Sequence, residues 1–318
     1  MKTIVSIKKT GFLLWVSALI IASGCMDQET EYEKQIKIAD QALEAYLLNN
    51  GINATKSSQG YYFERLEENA TGREVHEGDM VSIHFWMTNL DGDLIDFSAQ
   101  SKPVRFGHVD NALIPAGLNS GIRHMRTGEK YRFYLPSYLA FGSYSHSKYF
   151  KPNENFIIET ELVDVKSTQE VFDHEMDSID SYIDNKQFED ILEFESGLRF
   201  KTIQAGNGSK PQANDVVEFY FGRKYLDGQL IEETPNNDPA IIRLNTGRAV
   251  PGLEQGLRQM REGESALLIM PSQIAFGASI QVIPTNLRPI LIGNRIITTR
   301  TMPYSPVYYE VELVKIHR

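Results

Sequence analysis

Side chains able to act as nucleophiles, general bases or metal ligands occur in this chain, but none stands at a spacing such chemistry needs. The seven histidines, at His76, His84, His108, His124, His146, His174 and His317, fall singly along the sequence. A bound metal calls for ligands grouped a few residues apart. Ser137 and Ser272 sit in two similar turns with no base beside them, and no phosphate-binding glycine loop occurs. Hydrolysis, phosphoryl transfer and metal chemistry are therefore set aside, and no cofactor is called for. What recurs instead is a pattern of glycines, prolines and large apolar residues. Gly121-Ile-Arg-His-Met-Arg-Thr-Gly-Glu leads to Pro136-Ser-Tyr-Leu-Ala-Phe-Gly142, and Gly256-Leu-Arg-Gln-Met-Arg-Glu-Gly-Glu leads to Pro271-Ser-Gln-Ile-Ala-Phe-Gly277. Half of the 22 aligned positions are identical, every Gly and Pro among them. The period of 135 residues between the copies is a domain length, so one fold is used twice.

The bulk numbers agree with two domains. The 318 residues are 42% apolar, enough for two separate cores. The net charge of −10 disfavours nonspecific nucleic-acid binding, and no Lys/Arg cluster opposes that. Lys2, Lys8 and Lys9 precede an apolar run from Phe12 to Ala22, which reads as an export signal too short to span a bilayer comfortably. The run ends Ala22-Ser-Gly-Cys25, and Cys25 is the only cysteine, so no intrachain disulfide can form. Small residues before a lone Cys at this place resemble the bacterial lipobox, although Ala22 stands where Leu is usual. On that reading residues 1–24 are removed and Cys25 is lipidated. The chain is then tethered to a membrane surface, expected to be the outer membrane facing the periplasm.

Residues 25–58 then comprise the tether and a leading helix. Ile36, Ala39, Leu43, Tyr46 and Leu47 recur at helical spacing before Gly51 stops the pattern. Residues 167–196 are a second leading helix and linker, with Phe172, Met176, Ile179 and Ile183 on one face of the helix and an acidic stretch from Asp184 to Glu195 that reads as a solvated linker face. The two helices either pack on their own domains or pair between copies of the chain; neither carries sustained heptads. Oligomeric state is left open. Residues 59–166 and 197–318 are β-rich. Tyr131, Phe133 and Leu135 alternate with Lys130, Arg132 and Tyr134, and Val307, Tyr309, Val311 and Leu313 alternate with Tyr308, Glu310 and Glu312. Such alternation predicts half-buried antiparallel strands. Asp91-Gly92 and Asp227-Gly228 supply hairpin turns. One short helix per domain places Leu118, Ile122 and Met125, or Leu253, Leu257 and Met260, on one face. The expected class is α+β: two domains, each an antiparallel sheet wrapped on a short helix and each preceded by a helix.

These elements resemble the FKBP-type peptidyl-prolyl isomerases. The matching residues are Val81-Ser-Ile-His-Phe85, Asp91-Gly92, Ile95-Asp96, Gly117-Leu118, Met125, Gly128-Glu129, Pro136, Ala140-Phe-Gly142 and Ile158 to Leu162. In the second copy they are Val217 to Phe221, Asp227-Gly228, Ile231-Glu232, Val250-Pro-Gly-Leu253, Met260, Gly263-Glu264, Ala275-Phe-Gly277 and Tyr309 to Leu313. The lipobox with a leading helix is also similar to the lipoprotein isomerases of gliding bacteria. The resemblance implies catalysis of rotation about X-Pro bonds in proline-containing peptides or unfolded exported proteins. That rotation crosses a barrier of about 18–20 kcal/mol. A dry apolar pocket favours the twisted, less polar amide over the planar one, and lowering the barrier by about 5 kcal/mol gives several-thousandfold acceleration.

By the resemblance, Phe85, Asp96, Ile114, Leu118, Phe141 and Ile158 form the catalytic cup of the first domain, with Ile95, Val104 and Pro115 completing it. The second cup is expected from Phe221, Ile231, Glu232, Ala240, Ala249, Val250, Leu253, Phe276 and Tyr309. Both depart from the family pattern. Leu118 and Leu253 replace a floor tryptophan, for which Trp86, one strand position past Phe85, cannot stand in. Phe141 and Phe276 replace a tyrosine whose hydroxyl bonds the bound carbonyl, a loss of about 1 kcal/mol. Glu232 replaces the aspartate, and Ala240 and Ala249 thin the second wall. Domain 1 is expected to be the isomerase and domain 2 a binding module; the alternative is a noncatalytic scaffold of a cell-envelope assembly. Residues 278–306 insert a loop about twice as long as its counterpart, carrying Arg288, Arg295 and Arg300. It is either a flap gripping unfolded or acidic segments or a surface excursion packing on domain 1 or the leading helix. Activity requires each cup to be free to admit a prolyl segment.

Overall fold

In a computed structural model, residues 29–318 are described. The export signal, Cys25 and the first part of the tether lie outside the described residues. Among the described residues no helix is long and apolar enough to cross a membrane.

Helix α1, Glu31–Asn49, opens with a capping box: the Glu33 amide donates to the Thr30 hydroxyl and the Glu33 carboxylate accepts from the Thr30 amide. Domain 1 is a seven-stranded antiparallel sheet. Its order is Thr55–Lys56, Tyr62–Glu67, Lys130–Leu135, Phe156–Lys166, Met80–Asn89 and Leu94–Phe97, with Val104–Gly107 also paired to Met80–Asn89. Phe133 and Leu135 point to one face and meet Leu118 and Ile122 of α2, Ala116–Ile122. Gly121 is required there, because a Cβ would lie 2.5 Å from the Phe133 ring. The expectation of one covered face is corrected at Tyr134, which is also buried. Leu43 and Leu47 of α1 pack on Tyr134, Tyr62 and Ile157 of the opposite face.

Domain 2 repeats the design after α3, Thr168–Lys186. Its sheet runs Leu230–Glu233, Val216–Tyr225, Val307–His317, Ser265–Met270, Arg199–Gln204 and Leu192–Glu193, with Ala240–Arg243 beside Val216–Tyr225. Helix α4, Pro251–Gln259, covers one face, and Ile179 of α3 packs on Leu267, Ile269 and Tyr308 of the other. Each leading helix thus packs on its own domain. The acidic stretch runs from the end of α3 through an exposed loop carrying Glu189 and Asp190 into the short strand Leu192–Glu193. Both hairpins turn at glycines with positive φ, 86° at Gly92 and 91° at Gly228. The α+β class expected from the sequence is the class the chain adopts.

Among the described residues, no loop separates the last strand of domain 1 from α3. The strand Phe156–Lys166 passes through Ser167, the N-cap of α3, directly into that helix. Val171 of α3 packs with Met80 of domain 1 and Tyr304 of domain 2. The insertion contains α5, Arg288–Gly293, and the strand Gln281–Val282, which pairs in parallel with Leu113–Ile114 of domain 1. The Ile114–Pro115 and Ile283–Pro284 peptide bonds are cis.

Glu175 of α3 is buried, and one of its oxygens accepts from the Ser272 amide at 2.7 Å while the other has no partner. Burial raises its pKa above the ordinary carboxylate value. The folded chain therefore keeps this proton to a higher pH than the unfolded chain does. The charged carboxylate weakens the fold as pH rises above the unfolded value, and falling pH restores the loss. Denaturant melts of wild type and Glu175→Gln should show wild type gaining on the variant between pH 8 and pH 4.5. A pH-independent difference would contradict this.

Candidate functional site

The expected residues of the first cup do come together. Phe85, Leu118 and Ile158 are fully buried in one cluster with Val104, and Ile95, Ile114 and Phe141 pack against it. Strand phase explains this: Phe85 and Ile158 sit at inward positions of neighbouring strands, and Leu118 lies on the inward face of α2. Phe141 stacks on Phe150 with centroids 4.3 Å apart and meets Phe156 edge-on. Trp86 points outward, 48% exposed, against Phe97.

This cup is not free. Val282, Ile283, Leu287, Leu291 and Ile297 of the insertion belong to the same buried cluster as Phe85, Leu118 and Ile158. The Ile283 amide donates to the Ile114 carbonyl at 2.8 Å, and the Gln281 amide donates to the Ala112 carbonyl at 2.8 Å. Beyond the buried Pro284, Thr285 donates to Asp96 from its amide at 2.8 Å and from its hydroxyl at 3.2 Å. Burying Val282, Ile283 and Leu287 contributes about 1.5–3 kcal/mol each. The requirement of an open cup is therefore not met in domain 1, because apolar side chains of domain 2 occupy the space. A cleft of about 270 Å³ remains at the rim, lined in part by Phe97, Val104, Gln281, Thr285 and Met302.

The insertion holds its shape through Arg288. This guanidinium is buried and donates to the carbonyls of Ile280, Thr299, Arg300 and Thr301 at 2.8–3.1 Å. Burial lowers its pKa from the ordinary guanidinium value. Of the three arginines the insertion carries, Arg295 and Arg300 are exposed and Arg288 is the internal brace, and the insertion packs on domain 1.

The second cup has a different character. Phe221, Ile231, Ala240, Ala249 and Val250 are half-buried around Leu253 and Tyr309, and Phe276, also half-buried, joins them through Arg223. Arg223 enters among them, two residues beyond Phe221 on the inward phase of its strand, where the first copy has Met87. Arg223 is only 6% exposed. It donates to Glu232 at 2.7 Å and to the Tyr309 hydroxyl at 3.2 Å, and its guanidinium lies 4.2 Å from the Phe276 ring centroid. Burial raises the Tyr309 pKa, against the influence of Arg223. Neither pocket carboxylate is unengaged: Asp96 is held by Thr285 and Glu232 by Arg223. A larger cleft, about 740 Å³, includes Tyr182, Tyr220 and Tyr308 on the sheet face that receives α3, and it shares Phe221 with this cup.

Sequence reasoning missed Arg223, the Ile283-Pro284-Thr285 segment and the role of Arg288. The signals were present as an arginine at an inward strand position and as an X-Pro pair among apolar residues in a long insertion.

The sequence profile of the family described as FKBP-type peptidyl-prolyl cis-trans isomerase matches residues 71–163 and 207–314. The human peptidyl-prolyl cis-trans isomerase FKBP10 is 24% identical over 208 residues, 64% of this chain and 31% of that protein. The FKBP-type peptidyl-prolyl cis-trans isomerase FkpA of Aeromonas hydrophila is 26% identical over 118 residues, 37% of this chain and 43% of that protein. The chain thus spans less than half the length of these two relatives. Among solved structures, the three FKBP domains of wheat FKBP73 match 83% of this chain and 98% of theirs at 20% identity, with a TM-score of 0.34. FkpA from Escherichia coli matches 43% of this chain and 63% of its own at 24% identity, with a TM-score of 0.36. With the family profile met in both halves, the chain belongs to the FKBP-type peptidyl-prolyl cis-trans isomerase family.

Proposed function

We propose that the chain is a peptidyl-prolyl cis-trans isomerase that assists folding of exported proteins, with domain 1 as the catalytic unit and domain 2 as a binding module. The observation that carries this reading is the apolar cup of domain 1 enclosing an Ile-Pro segment between Ile114 and Asp96. Ile283 is buried in an apolar cluster and Asp96 meets the segment just past the proline, as stabilisation of a twisted amide requires. Domain 2 offers a guanidinium–carboxylate pair at the equivalent place, which suits holding a polar segment more than rotating an amide. The lipobox reading of Cys25 supports a lipid-anchored position in the bacterial cell envelope, at the outer membrane facing the periplasm, similar to the gliding-associated lipoprotein isomerases. A second reading, a noncatalytic scaffold, is favoured by the closed first cup.

A protease-coupled assay on proline peptides tests the choice, using wild type and Ile283→Asp, which places a charge where the insertion enters the cup. Wild type is expected to accelerate isomerisation weakly. The variant is expected to reach roughly 10²–10³-fold over the uncatalysed rate, a barrier reduction of about 3–4 kcal/mol. Asp96→Ala or Phe141→Ala, added to that variant, should lower its rate. A folded Ile283→Asp chain with no acceleration leaves only the scaffold.

A further inference from the structure

The contacts between the insertion and domain 1 are those an independent peptide would make. Residues 281–283 bridge the Ala112–Ile114 backbone in parallel through the amides of Gln281 and Ile283. Val282, Ile283 and Pro284 are buried, whereas Thr285 and Asn286 are exposed, so the segment enters the cup and leaves it again. The segment belongs to neither seven-stranded sheet. Within domain 1 the counterpart loop, 143–155, stays on its own domain, with Phe150 packed on Phe141 and Phe156. Just past the proline, Asp96 accepts both the amide and the hydroxyl of Thr285 on one oxygen. A carboxylate is acceptor only, so it discriminates between residues that bring one donor and residues that bring two.

We infer that residues 281–287 are the resident ligand of domain 1 and that the cup admits another chain only in exchange for them. Asp96 then selects segments of the type Val-Ile-Pro-Thr or Val-Ile-Pro-Ser, with a hydroxyl directly after the proline. This rests on reading the first cup as a prolyl-segment site. The rim cleft beside Val104 and Thr285 is the place where exchange begins.

The test uses the full chain and a fluorescein-labelled peptide of sequence Gln-Val-Ile-Pro-Thr-Asn-Leu, read by anisotropy. Affinity is expected to rise from wild type to Thr285→Ala by about tenfold, the scale of a hydrogen bond to a charged acceptor. Ile283→Asp should bind about a hundredfold tighter than wild type or better, since the competing segment is undocked. A peptide with Ala in place of its Thr should bind Ile283→Asp about tenfold more weakly, and adding Asp96→Ala should erase that difference. Equal affinities across the three proteins, or Thr/Ala discrimination that persists without Asp96, would overturn the inference. Should Ile283→Asp fail to fold, Thr285→Ala still decides. So does hydrogen exchange on wild type, where saturating peptide should accelerate the Gln281 and Ile283 amides; unchanged rates count against it. Peptide binding without any isomerisation removes the catalytic reading and leaves exchange standing. Isomerisation by wild type that this peptide does not inhibit removes exchange and leaves catalysis.

Discussion

Arg288→Met is expected to detach the 278–306 insertion from domain 1 while both domain cores stay folded. The guanidinium satisfies the carbonyls of Ile280, Thr299, Arg300 and Thr301, which lie at both ends of the loop's course. A methionine fills similar volume but donates nothing, and each buried carbonyl left without a partner costs about 1–3 kcal/mol. The Thr301 carbonyl keeps the Ser279 hydroxyl at 2.8 Å, but the carbonyls of Ile280, Thr299 and Arg300 lose the Arg288 donor, so the loop rearranges to expose those groups to water. Arg288→Lys should not restore it, because one ammonium has three donors at a single point and cannot span four carbonyls. Hydrogen exchange should show the Gln281 and Ile283 amides losing protection by several orders of magnitude. Amides in the strands Met80–Asn89 and Val216–Tyr225 should keep theirs. Retained protection at Ile283 would mean that packing against Leu118 and Phe85 holds the insertion without its brace.

Arg223→Met should convert the second cup into a copy of the first, where Met87 occupies the corresponding strand position. Replacing a buried ion by an apolar side chain of similar size is often neutral or stabilising by about 1–4 kcal/mol. Glu232 is only half-buried and recovers its hydration once its partner is gone. Wild type and Arg223→Met should therefore melt within a few degrees of each other. Arg223→Ala should melt clearly lower, because it leaves a void between Phe276 and Tyr309. The functional consequence should be larger than the thermal one. Proline peptides should bind Arg223→Met at least about tenfold more tightly than wild type, since a single desolvated charge in the cup outweighs one hydrogen bond. Calorimetry with Ile283 intact keeps the resident segment competing for the first cup in both proteins, so the difference between them reports the second. A variant that melts far below wild type would show that the pair with Glu232 is a structural necessity.

The elements were legible in the sequence because local rules fix them. Alternation at Tyr131, Phe133 and Leu135 needs only the strand period, and Asp91-Gly92 and Asp227-Gly228 need only a positive φ at the glycine. The ring residues of both cups follow from strand phase, which is why Phe85 and Ile158, or Phe221 and Tyr309, meet. The occupant of the first cup follows no local rule. Nothing near Ile283 in sequence says that its partners lie about 170 positions away at Ile114, and that pairing is decided by which long-range packing buries most apolar area. Arg288 and Arg295 are similar as letters. One is buried because carbonyls converge on it and the other is exposed because none do, a difference that exists only once the loop is closed.

The direct passage of the strand ending at Lys166 into α3 has a quantitative consequence. It fixes the second half beside the first without slack, so residues 281–287 meet their cup as an intramolecular partner. Their effective concentration is that of a short tether, of order millimolar or higher. A visiting polypeptide at micromolar abundance starts about a thousandfold behind unless it binds correspondingly more tightly or arrives in local excess. The short connection therefore acts as a threshold on occupancy, leaving the cup shut to scarce chains and open to crowded ones.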